Sequence, residues 1–149
     1  MIDLLGSDLG LLSNRAKKLN VVFAWLEAID SDTKNKILEI LKNDQLQKGI
    51  DGDGDIIGLY SIYTEMLKPN KVAGTPYTLE DTGAFYNSLF VTVSTDNLNI
   101  DGNGKKGEQN LFDKYTTAIV GLTQESKDKL AEILIPKYQN YVAKVLQIS

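Results

Sequence analysis

The residues from 123 to 145 carry the pattern that most constrains this chain. Leu130, Ile133, Leu134, Tyr138, Tyr141, Val142 and Val145 recur at steps that place them on one face of a long helix. Thr123 stands at the cap position, and Glu125 puts a negative charge in the first turn, where the helix macrodipole favours it. Pro136 falls inside the stripe. It has no backbone N–H to donate and clashes one turn back, so the helix is expected to kink or split there.

Upstream, Ser13 or Asn14 can cap a helix in which Leu19, Val22, Phe23 and Leu26 keep helical spacing, flanked by Trp25 and Ile29. Asp30 or Ser31 marks its end and can cap a second helix with Ile37, Leu38 and Leu41 on its buried face, Leu46 near its end and Gly49 as its stop. Two antiparallel helices joined at residues 30–32 are expected. Residues 51–55 alternate Asp and Gly and form a turn. Residues 56–63 are rich in β-branched and aromatic side chains and read as extended. Residues 68–76, with Pro69, Gly74 and Pro76, read as a loop. Residues 78–90 fit no single pattern, 89–93 read as a strand, 96–107 as a polar turn or loop, 110–115 as a short helix and 119–122 as an apolar connector. The expected fold class is α+β: an N-terminal helical hairpin, a small antiparallel sheet and a long C-terminal helix kinked near Pro136. The 149 residues hold no linker-like stretch, so one domain over 1–149 is expected. Residues 1–12 read either as a docking arm or as a frayed terminus partly tucked on the core.

Composition removes whole classes of chemistry. There is no histidine and no cysteine. Histidine is the commonest general acid–base near neutral pH and the commonest transition-metal ligand, so Ser-His-Asp catalysis and histidine zinc sites are excluded. Thiol nucleophiles, disulfides and thiolate metal sites go with cysteine. Ser61, Ser88 and Ser94 have no basic partner legible in the sequence, and no nucleophile elbow, phosphate loop or dinucleotide fingerprint occurs. No catalytic, cofactor-binding or metal-binding residue is assigned. A hydrolase built on paired carboxylates and magnesium survives as an alternative and requires acidic side chains gathered in one cleft. The net charge of −4 disfavours a polyanion-binding face, short of a local basic patch. The first twelve residues carry no basic n-region, and no apolar run reaches bilayer length, so neither a signal peptide nor a membrane partner is expected.

The Asp/Gly segments invite a calcium reading. Asp51, Asp53 and Asp55 match the first three ligand positions of an EF-hand loop, but Ile56 stands where glycine is needed and Ile62 where the bidentate glutamate belongs. Asn99, Asp101, Asn103 and Gly104 begin better, yet Asn110 occupies the twelfth position. Turn chemistry accounts for both segments. A calcium-dependent or other non-catalytic interaction module is the alternative functional reading.

Of the seven tyrosines, Tyr60, Tyr63, Tyr77 and Tyr86 crowd one central stretch. Tyrosine suits protein interfaces, where its apolar body and hydroxyl are both used, and it is equally a good strand residue. Residues 78–93 contain Asp81, Thr82 and Gly83 followed by Phe85, Tyr86 and Ser88 and then a strand. This segment resembles one in phage head–tail connector, or tail-completion, proteins. Residues 49–60, with Ile57, Gly58, Leu59 and Tyr60, and residues 110–125 are similar to pieces of small proteins encoded by phages of gut Bacteroidales, including crAss-like phages, in the same order. The resemblance covers about two-thirds of the chain. It departs from the pattern between the Gly-x-Tyr and Asp-Thr-Gly segments, where only Lys68 and Lys71 stand in place of a strongly basic stretch. The resemblance implies a virion structural protein that forms or joins a ring between portal and tail after assembly in the bacterial host cytoplasm. Its partners would be portal, adaptor or tail proteins and further copies of itself, with DNA contact only where it lines the channel. Tyr60, Tyr63, Tyr77, Asp81, Thr82, Gly83, Phe85, Tyr86 and Ser88 are the interface candidates.

Overall fold

A computed structural model describes residues 8–148. The first seven residues of the candidate docking arm therefore lie outside the described residues, and the rest of it belongs to a helix, α1 (Asp8–Lys17). The fold is mixed helix and sheet, with two small antiparallel sheets and a long bent C-terminal helix.

The N-terminal region divides earlier than its periodicity predicts. Ser13 and Asn14 lie within α1 and cap nothing. The chain breaks at Lys18 and Leu19, and Asn20 caps α2 (Val21–Glu27) by accepting the Phe23 N–H at 3.0 Å. Asn favours the cap because its side chain competes with the backbone inside a helix. Asp30 caps α3 (Ser31–Glu39), accepting from the N–H and hydroxyl of Thr33 at 2.8 and 2.7 Å. Helix α3 runs into a wider π-helical turn (Ile40–Gln45) and a 3-10 turn (Leu46–Lys48), then stops at Gly49, whose φ of 70° suits a residue without Cβ. In the π turn residues five apart share a face, which brings Ile40 and Gln45 to the buried side together.

Residues 56–63 depart from the extended reading. Only single bridges form, Ile50 with Ile56 and Leu59 with Pro76, and a short helix α4 (Ile62–Leu67) begins where a strand was expected. Ser61 decides this by accepting the Thr64 N–H, so the cap outweighs the strand preference of Ile62 and Tyr63. Helix α5 (Ala84–Ser88) leads into strand β1 (Phe90–Val93). The polar stretch 96–107 is also more ordered than a loop. It contains β2 (Leu98–Asp101), paired antiparallel with β1 so that Val91 faces Ile100, and β3 (Lys105–Lys106), paired with β4 (Gln109–Asn110). Asn110 caps α6 (Leu111–Tyr115), and a 3-10 turn (Thr117–Val120) buries Ile119 and Val120.

Helix α7 (Gln124–Leu146) is capped by Thr123, which accepts the Ser126 N–H at 3.2 Å. It continues through Pro136, and the segment Thr117–146 bends by 31°. Its inner face meets the N-terminal helices. Trp25 of α2 stacks on Tyr138 with ring centres 4.3 Å apart, and Lys137 bonds both Asp30 oxygens at 2.8 Å, which with Thr33 holds that carboxyl well below the usual range. Lys129 pairs with Asp44 at 2.9 Å. One core joins Ile37, Leu41 and Leu46 to Phe85, Leu89, Val91 and Ile100. Among the described residues no helix is long and apolar enough to cross a membrane.

Candidate docking site

The site is assembled where residues 58–60 run beside 74–77. The Tyr77 N–H donates to the Gly58 carbonyl at 2.7 Å, and the Tyr60 N–H to the Thr75 carbonyl at 2.9 Å. Gly58 is required here because a Cβ on it would overlap the Tyr77 ring. With the ring seated on bare backbone, Tyr77 lies edge-on to Tyr60 at 4.8 Å and to Tyr115 of α6 at 6.1 Å. These rings floor an open cleft of about 510 Å³, walled by α4, the loop after it, residues 79–85 and the β3–β4 hairpin.

Five lysines line the cleft: Lys68, Lys71, Lys105, Lys106 and Lys114. Only Glu80 and Asp81 oppose them there. Asp81 bridges Lys68 and Lys106, the second at 2.9 Å, and hydrogen bonds from the two ammoniums lower its pKa to about 2. Lys71 sits 5.4 Å from the centre of the Tyr60 ring and donates to the Glu80 carbonyl. Lys114 sits 5.0 Å from the Tyr115 ring centre and 6.0 Å from that of Tyr77, within cation–π range. Burial pushes the Tyr60 hydroxyl up, but bonds with Thr78 and the nearby Lys71 outweigh it and leave the group below its ordinary value.

Of the nine interface candidates, the cleft gathers Tyr60, Tyr77, Asp81, Thr82 and Phe85. The other four serve elsewhere. Gly83 starts α5 at a φ of 79°. Tyr86 is buried and donates its hydroxyl to the Thr78 carbonyl at 2.6 Å, and that burial raises its pKa well above the ordinary tyrosine value. Ser88 donates to the Phe85 carbonyl at 2.7 Å and accepts the Asn103 N–H at 2.8 Å. The two bonds tie α5 to the β2–β3 connection. Tyr63 lies outside the cleft, on α4, 71% exposed.

Helix α4 has no buried residue at all. Ile62 is 72% exposed, Met66 76% and Leu67 65%, while Thr64 and Lys68 on the same segment line the cleft. Ile56, Leu59 and Val72 nearby in sequence are exposed too. Where exposed apolar side chains form a patch, they mark a contact site. Sequence reasoning missed Lys105, Lys106 and Lys114, which arrive from the β3–β4 hairpin and α6; the Lys105–Lys106 pair was visible as charge, but not its destination.

The arrangement is suited to holding an apolar and acidic surface. One oxygen of the Asp51 carboxylate, Oδ1, accepts the Asp53 and Asp55 N–H groups at 2.9 and 3.0 Å. Among the described residues no three His, Cys, Asp or Glu side chains gather where an ion could sit. Compared with protein-family models, curated proteins and solved structures, the chain matches none.

Proposed function

We propose that this chain is a structural, non-catalytic docking domain of a bacteriophage neck, forming or joining a ring between portal and tail. The observation that carries the docking role is α4, where Ile62, Tyr63, Met66 and Leu67 are all left largely exposed by the fold. Covering any one of its large side chains contributes roughly 1.5–3 kcal/mol, a gain open only to an assembled form. The assignment to the neck rests on the likeness of residues 78–93 to connector proteins. In support, the buried Tyr86 and the bonded Ser88 give that segment a fixed shape, as a rigid ring component needs. Portal, adaptor or tail proteins of the same virion and further copies of the chain are the proposed partners. The calcium reading has less support, because Asp51 Oδ1 is taken by two N–H groups of its own turn.

The test replaces Ile62 and Met66 by glutamate. Sedimentation velocity should show the wild type in oligomers, alone or with the portal and adaptor proteins, and the Ile62→Glu/Met66→Glu chain monomeric and unbound. Equal assembly by both chains would remove α4 from the interface, and a wild type that neither self-associates nor binds those proteins would overturn the proposal.

A further inference from the structure

We propose that the lysine-lined cleft receives the acidic turn at residues 51–55 of a second copy of this chain. The inference rests on the ring-forming reading and adds the pair of surfaces that join one copy to the next.

Charge is distributed unevenly. The cleft holds five lysines against two carboxylates, so the remainder of the chain carries eleven basic and eighteen acidic groups, a net of −7. This basic cleft therefore belongs to a protein whose remaining charge is acidic on balance, which offers complements to it on a neighbouring copy. Inside the cleft Asp81 answers Lys68 and Lys106, and Lys71 donates to the Glu80 carbonyl; Lys71, Lys105 and Lys114 take part in no ion pair among the described residues. Carboxylates are thus the complement the cleft lacks.

The turn supplies two. Its backbone is closed by the Asp51 N–H on the Asp55 carbonyl at 2.9 Å and by the Asp51 carboxylate on two N–H groups. It is anchored to the 3-10 turn by the Gly52 N–H on the Ala118 carbonyl at 2.8 Å. Asp53 and Asp55 are left exposed, and a Cβ at Gly54 would meet nothing, so the tip stands clear of the fold. Little entropy remains to be lost when such a turn docks. None of its residues lines the cleft of its own copy, so turn and cleft are separate patches. Contact between different patches is heterologous, and a heterologous contact repeats into a ring wherever its rotation closes.

The aromatic floor argues against nucleic acid as the occupant. Single strands bind by stacking bases on open ring faces. Here lysine ammoniums stand over Tyr60, Tyr77 and Tyr115, which favours carboxylates over bases.

The experiment is a charge swap on the full chain, read by sedimentation velocity, with thermal melting as the check on folding. Lys105→Glu/Lys114→Glu and Asp53→Lys/Asp55→Lys should each weaken self-association by roughly tenfold or more, and an equimolar mixture should recover it, as paired charge reversals do at electrostatically matched interfaces. Should the lysine variant fail to fold, the aspartate variant, altered only at exposed positions, carries the test. Reversed chains that associate as the wild type does, or a mixture without recovery, would overturn the cleft contact and leave the ring reading standing. A wild type monomeric at every concentration would overturn both. Binding of a single-stranded oligonucleotide that the lysine variant alone loses, with association untouched, would assign the cleft to a polyanion instead and overturn this proposal.

Discussion

At the scale of single residues, Gln45 does the most to join the two halves of the chain. It is fully buried in the π-helical turn, donates to the Gly121 carbonyl at 2.9 Å and accepts the Thr123 N–H at 3.0 Å. Gln45→Leu keeps the volume but orphans the half-buried Gly121 carbonyl and the Thr123 N–H that precedes α7. It should cost about 1–3 kcal/mol in urea unfolding. Asp81 ties acid sensitivity to the cleft. Its carboxyl falls from the ordinary 3.8 to about 2 in the folded chain, so the stability it contributes is whole above pH 3.8 and is lost as pH falls through about 2. Asp81→Asn should therefore flatten the acid limb of the stability curve between those values and lower stability at neutral pH by less than about 1 kcal/mol, since the pair is partly solvated. Neither role was legible beforehand. Glutamine in a helical run gives no sign that both ends of its amide will be used, and the partners of Asp81 lie 13 and 25 positions away.

Elements were readable in proportion to the length and regularity of their pattern. Helix α7 came through with its cap, apolar face and bend because twenty-three residues keep one period and Pro136 interrupts it visibly. Gly49 and Asp30 were legible as stop and cap for the same local reason. Residues 56–63 misled because side-chain type argued for a strand while a single Ser61 bond argued for a helix, and the bond prevailed. Strands β2 and β3 were hidden in polar sequence, where only Leu98 and Ile100 alternate inward. Helix α4 has a property no pattern in the chain announces, apolar on faces that the fold leaves uncovered. Because Ile62 and Met66 are largely exposed, Ile62→Glu/Met66→Glu should leave the melting curve of the isolated chain within about 0.5 kcal/mol of wild type. A large loss of stability would mean that α4 supports the fold and is not kept for a partner.

For the molecule as a whole, sequence and geometry contribute differently. Composition removed histidine and cysteine chemistry, and the connector resemblance drew attention to residues 78–93. The cleft itself could be seen only once β3–β4 and α6 had carried three lysines to the tyrosines of residues 60 and 77. The result is an α+β body with exposed apolar side chains on α4, a basic cleft and a separate acidic turn. The central claim is that this unit works inside a virion neck. Quantitative mass spectrometry of purified phage particles tests it most directly: the account predicts the chain in the particles at several copies per portal ring, retained through a high-salt wash. Its absence from particles, while it is abundant in the infected-cell lysate, would contradict the account.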